Sequence, residues 1–169
     1  LFNQEETDYK KEYVKEVQID TDMELLLPDE YISVVSERLA LYNELSSIKD
    51  EEKLGRFRKN MEDRFGKIPL QGLELLNTLR VKWIASQLGL ERLIIKNKKC
   101  VCYFLTDQKS EFFHSKIFNK ILLTVKNNSK SYKIKEKETR KGLRLILTIG
   151  NIDSVKILHQ TLEVMLKSE

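Results

Sequence analysis

The chain is 169 residues long, 41% hydrophobic and 33% charged, with six glycines and two prolines; it suits one domain with a core, and collagen-like and low-complexity chains are excluded. Its longest apolar runs, such as Leu25–Leu27 and Ile121–Leu123, fall far short of the roughly 20 residues of a membrane-spanning helix, and the acidic start at Gln4–Asp8 carries no signal-peptide pattern. The net charge of +4 conceals an asymmetry: residues 1–66 hold 10 Lys/Arg against 17 Asp/Glu, net −7, and residues 67–169 hold 20 against 9, net +11, so the two halves suit partners of opposite charge.

Residues 1–16 are charged and loosely patterned, as expected of a tail or linker, and the start at Leu1 rather than Met suggests a piece of a longer protein. Val17–Asp20 alternates like a strand, which Leu25–Leu27 could extend until Pro28 ends it. Three helices are expected next. Ile32, Val35, Leu39, Tyr42 and Leu45 make one apolar stripe, with Asp29 as its N-cap. Leu54, Phe57, Met61 and Phe65 make a second, over Asp50–Phe65, closed by Gly66 as a left-handed C-cap. Pro69 can open the third helix at its first position, along which Leu73, Leu76, Leu79, Trp83 and Leu88 run until Gly89.

The period then changes. Glu91–Lys96 and Cys100–Leu105 flank Asn97-Lys98-Lys99 as a hairpin. Glu111–Val125 reads as a helix with Phe113, Ile117, Ile121 and Leu122 on one face. Ser131–Lys135 and Leu143–Ile149 are strand-like and joined through Lys137–Gly142. Ile152, Val155, Leu158, Leu162 and Met165 mark a closing helix, capped near Asn151 or Asp153. The expected fold class is α+β: an N-terminal strand and a helical subregion (about 29–89), packed with a small, mostly antiparallel sheet and further helices (about 90–169).

Catalytic signatures are sparse. The glycines fall in no phosphate-loop frame, His114 and His159 stand apart from carboxylates or thiols at metal-binding spacing, and no catalytic motif, metal set or cofactor is expected. Cys100 and Cys102 are two apart on a strand, side by side on one face, poorly placed for a disulfide and in keeping with a reducing cytoplasm. The basic run from Lys126 to Arg144 offers a nucleic-acid alternative: Lys133, Lys135 and Lys137 would share a strand face, with Arg140, Lys141 and Arg144 nearby, although Glu136 and Glu138 dilute the field.

One ordered set of motifs is more specific. Leu27-Pro28-Asp29-Glu30-Tyr31-Ile32, then Arg38-Leu39 with Tyr42, then Asp63-Arg64-Phe65-Gly66-Lys67-Ile68-Pro69, and finally Gly89-Leu90 resemble the C-terminal domain of the bacterial transcription-repair coupling factor (Mfd). The match is strong over roughly residues 18–95 and one of layout beyond. The resemblance implies a regulatory domain, residues 17–169, that follows the motor of an ATP-dependent DNA translocase. Such a translocase dislodges stalled RNA polymerase in the cytoplasm and recruits nucleotide-excision repair. It implies an autoinhibitory clamp on the N-terminal repair-recruiting domain of the same chain, which hides the surface used by the damage-recognition ATPase of excision repair. Arg56, Asn60, Asp63 and Arg64, on the polar side of the second helix, are the candidate interdomain contacts, Arg64 being suited to bidentate bonds. Phe65, Gly66 and Pro69 are expected to be architectural. The family commonly carries an acidic residue where this chain has Asn60, which leaves a hydrogen bond where an ion pair would stand.

Overall fold

Alternating apolar residues in the middle of the chain set up the sheet. The structure, a computed structural model, describes residues 11–167. Strands β2 (Leu90–Lys96) and β3 (Lys99–Phe104) pair antiparallel. Their turn is one residue tighter than the expected Asn97–Lys99. Only Asn97 and Lys98 bridge it, both at positive φ, 53° and 58°, as a two-residue hairpin of right-handed strands requires. β4 (Tyr132–Thr139) and β5 (Gly142–Gly150) form the second hairpin. β4 runs four residues past the expected Lys135, so Lys137 and Glu138 belong to the strand and Arg140-Lys141 alone make the turn. The short β1 (Gln18–Thr21) adds in parallel to β2, giving the order β1-β2-β3-β5-β4 in one mixed, mostly antiparallel sheet. Leu25–Leu27 does not extend β1.

Register decides the faces. Cys100 opposes Ile149 and Ile95, and Cys102 opposes Leu147 and Leu93; all six are at most 1% exposed. Phe104 continues this face, meeting Phe112 and Phe118 at ring separations of 5.9 Å. The stretch expected as one helix from Glu111 is broken. Residues Glu111–His114 form a 3-10 turn, and α4 (Lys116–Asn127) starts afresh because the Ser115 hydroxyl accepts from the Phe118 N–H. Ile117, Phe118 and Ile121 are buried, whereas Leu122, expected beside them, is 40% exposed. α5 (Val155–Lys167) buries Val155, Leu158, Leu162 and Met165 as expected. Its cap is Ser154, whose hydroxyl accepts from the Ile157 N–H at 3.1 Å, rather than Asn151 or Asp153.

The chain divides into two compact units. The sheet unit comprises residues 11–23 and 81–167, and the helical unit residues 24–80. The division falls inside α3 (Leu70–Gln87), at Arg80–Val81, rather than at the expected boundary near 89/90. Of the expected tail 1–16, residues 1–10 lie outside the described residues. Further on, the Tyr13 N–H donates to the Ser86 carbonyl, the Ser86 hydroxyl donates to the Val14 carbonyl, and Val14 is buried. Gly89, at φ +67°, turns the chain from α3 into β2; a side chain there would also meet the Phe112 ring at 2.6 Å.

The helical unit holds α1 (Val35–Ser46), α2 (Glu51–Phe65) and the first part of α3. Asp50 caps α2 by accepting from the Lys53 N–H at 2.8 Å. α1 differs from its expected form. Its N-cap is Val34, with no side-chain bond, and not Asp29. Its buried residues are Leu41 and Leu45, whereas Val35 and Leu39 of the expected stripe are 58% and 57% exposed. Ile32 is buried but precedes the helix, so it cannot set the helix's phase.

Candidate functional site

The shared motifs fasten one another within the helical unit. The Leu27 N–H donates to the Tyr42 hydroxyl at 2.8 Å. Arg38, 15% exposed, donates to the Ile32 carbonyl at 2.6 Å and pairs with Asp29 at 3.0 Å. The Tyr31 hydroxyl donates to the Gly66 carbonyl at 2.8 Å, and its ring meets Phe65 edge-on at 6.0 Å. Burial, aided by the Glu62 charge, pushes the Tyr31 phenol above its usual range, so it stays a neutral donor. The 27–32 segment is thus stapled to α1 through Arg38 and Tyr42 and to the end of α2 through Tyr31.

The motif after α2 is built for a sharp exit. Gly66 has φ +86° and ψ −168°. That is not the left-handed helical pair expected of it but the extended mirror region open essentially to glycine alone. Its N–H still closes on the Glu62 carbonyl. Pro69 stands one place earlier than expected. Its carbonyl accepts from the Leu73 N–H, so it caps α3, whose first residue is Leu70. Phe65 is half-buried under the Arg64 guanidinium, 4.7 Å from its centroid.

A cleft of about 210 Å³ lies between α1 and α2, lined by Leu41, Glu44, Phe57, Asn60, Met61, Asp63 and Arg64. Its floor is apolar and closed: Leu41, Phe57 and Met61 are 6%, 4% and 2% exposed. Its rim is polar, with Asn60, Asp63 and Arg64 exposed along one side of α2 and Glu44 facing them from α1. Arg64 does not pair within its own helix; it reaches Glu37 of α1 at 3.5 Å, with both groups about half exposed. Three of the four residues proposed from sequence therefore share one cleft. The fourth, Arg56, lies one turn before it and pairs with Glu52 at 3.2 Å. Sequence reasoning missed Glu44 and the floor residue Leu41. The exposed Leu39 drew the stripe to the wrong side, and the i, i+4 pair Leu41–Leu45 was the available signal.

The basic residues fall in the sheet unit. Lys133, Lys135 and Lys137 are exposed and share a face of β4, opposite Thr148, Ile146 and Arg144. Arg140 and Lys141 form the turn. Arg144 is only 17% exposed, held at 2.8 Å by Glu91 and at 2.9 Å by the Phe104 carbonyl, over the Tyr103 ring. Among the described residues no group of three or more His, Cys, Asp or Glu could hold a metal ion, and no helix is long and apolar enough to cross a membrane.

Comparison with known proteins gives a consistent result. The TRCF domain family model matches residues 21–115. The transcription-repair-coupling factor of Helicobacter pylori (strain ATCC 700392 / 26695) is 34% identical over 118 residues, covering 69% of this chain and 12% of that protein. The factor of Escherichia coli (strain K12) is 33% identical over 79 residues, 47% of this chain and 7% of that protein. The factor of Staphylococcus haemolyticus is 24% identical over 148 residues, 88% of this chain and 12% of that protein. Thus the chain spans no more than 12% of the length of these relatives. A crystal structure of the C-terminal domain of transcription-repair coupling factor has the same fold, with a TM-score of 0.61 at 20% identity over 93% of this chain and 89% of that one.

Proposed function

Starting from a chain that belongs to the TRCF domain family, we propose that it is an autoinhibitory interdomain-contact module. It would act within an ATP-dependent DNA translocase that removes stalled RNA polymerase and recruits nucleotide-excision repair. Its partner would be the N-terminal repair-recruiting domain of the same polypeptide. Closing the clamp would mask the surface for the excision-repair damage-recognition ATPase and hold the motor quiet until polymerase is engaged. RNA polymerase and the motor's DNA would be reached indirectly, through the parent protein, in the cytoplasm.

The observation that carries this reading is the α1–α2 cleft. Its closed apolar floor can seat a side chain, and its rim of Glu44, Asn60, Asp63 and Arg64 offers both charge signs and an amide. The cleft is small and largely polar at its edge, like contacts between domains of one chain, which are modest enough to release. Such a switch needs the closed state to win by only a few kcal/mol.

The test is titration calorimetry of this chain against the separate repair-recruiting domain, with the Asp63→Ala/Arg64→Ala double variant alongside. Wild type should bind and the variant should lose at least about tenfold, equivalent to ~1.4 kcal/mol. The Arg64–Glu37 pair is solvent-exposed, so its loss should cost the fold no more than about 1 kcal/mol. Equal binding by both proteins would remove the cleft from the clamp.

A further inference from the structure

Alternation sorts the charges of β4 by face. Side chains of successive strand residues point to opposite sides of a sheet. Lys133, Lys135 and Lys137 therefore project together, and Glu136 and Glu138 project to the other side. The glutamates that dilute the basic run in the sequence do not dilute it in space. Among the described residues these three lysines make no ion pair. Lysines on an edge strand are commonly explained as protection against strand addition, and β4 does end the sheet. That explanation accounts for charge on the edge but not for the sorting of its sign.

The cross-strand register continues this face inward. Lys135 stands beside Ile146 of β5, which stands beside Tyr103 of β3; Lys137 stands beside Arg144, whose guanidinium covers Tyr103 at 5.1 Å. Tyr103 and Ile146 are half-buried rather than closed over. The lysines recur at about 6.6 Å along an extended line, and the aromatic lies two strands, or roughly 10 Å, to one side of it. A row of cations with a flat apolar and guanidinium surface alongside fits a polymer of repeated negative charge that carries planar groups.

We infer that this sheet face binds a single strand of nucleic acid, its phosphates along Lys133, Lys135 and Lys137 and its bases inward over Ile146 and the Tyr103–Arg144 stack. Backbone cations with a stacking side chain are the usual means of holding single strands without sequence preference. An acidic protein segment would use the lysines and leave Tyr103 idle. The site is separate from the α1–α2 cleft and does not depend on the interdomain reading.

The test is fluorescence anisotropy of the whole chain with a labelled oligo-dT across a salt series. Binding should weaken with salt at a log–log slope of about −2, as three phosphate contacts require. Lys133→Gln/Lys135→Gln/Lys137→Gln should flatten that slope and weaken low-salt binding about tenfold or more. A charge-matched control in the helical unit, Lys49→Gln/Lys59→Gln/Lys67→Gln, should stay within about twofold, and Tyr103→Leu should weaken oligo-dT binding several-fold while leaving polyglutamate binding unchanged. Circular dichroism checks that each variant is folded. The inference is overturned by absence of binding at low salt, by equal losses in the triple variant and its control, or by polyglutamate competing as well as oligo-dT with Tyr103→Leu silent.

Discussion

Two glycines, one inside α2 and one just past its end, answer different physical demands. Gly55 sits inside α2 with open space around it, so nothing in the structure needs a glycine there. Gly66 also has open space, but its backbone is at φ +86°, ψ −168°. Gly55→Ala should therefore stabilise the protein by roughly 0.5–1 kcal/mol, the usual gain on removing glycine from a helix interior. Gly66→Ala should destabilise it by about 1–3 kcal/mol through backbone strain alone. Urea unfolding midpoints of the two variants should move in opposite directions; a harmless Gly66→Ala would mean that α2 ends in a different conformation. The same residue explains much of the motif around it, since the exit from α2 aims the Gly66 carbonyl at the Tyr31 hydroxyl.

At the scale of elements, α1 is the weakest in local design. Its N-cap, Val34, bonds no helix N–H, and Val34 is 49% exposed. Val34→Asp should supply the missing acceptor and complement the helix dipole, raising stability by about 0.5–2 kcal/mol in thermal or urea melts. No gain would show that Arg38, through its bonds to Asp29 and Ile32, already holds that end. This helix also marks the limit of what hydrophobic period makes legible. The order and type of nearly every element follow from hydrophobic period, since the β2–β3 hairpin, α2 and α5 each bury the patterned face. Of the stripe expected for α3 only Leu76 and Leu88 are buried; Leu73, Leu79 and Trp83 are half-buried, and Val81, Ile84 and Ala85 turn inward instead. α1 misled because a residue outside the helix, Ile32, lay in phase with exposed ones. The break before α4 was hidden because Ser115 acts through a cap rather than through hydrophobicity. For the candidate cleft, the α2 half was legible from Asn60, Asp63 and Arg64, while the α1 half depended on which side of that helix turns inward. The pairing of β1 with β2 could not be read at all, because partners some seventy residues apart leave no local pattern.

At the scale of the molecule, the two units carry separate reporters. Cys100 and Cys102 are fully buried in the sheet unit with their sulfurs 3.6 Å apart. The bond to Cys100, together with burial, pushes the Cys102 thiol well up from its usual range, so it remains protonated and unreactive at neutral pH. Labelling by a thiol reagent must then wait until the sheet unit opens. The helical unit has the smaller apolar core, built on Leu41, Leu45, Leu54, Phe57 and Met61. In rising urea the helical circular dichroism signal should begin to fall before the thiols become reactive. Coincident transitions would mean that both units melt as one cooperative body.

The parallel pairing of β1 with β2 also sets a timetable for synthesis. Gln18 leaves the ribosome long before Arg92, its partner in the register, exists. At the usual elongation rate of about 5–20 residues per second, that interval is several seconds, far longer than helices and short loops take to form. The whole of residues 24–80 is synthesised in between, so the helical unit can be folded while the first strand still has no sheet to join. Closing the sheet is then a task for the second half of the chain, which returns to an edge that was made first and must stay available until it arrives.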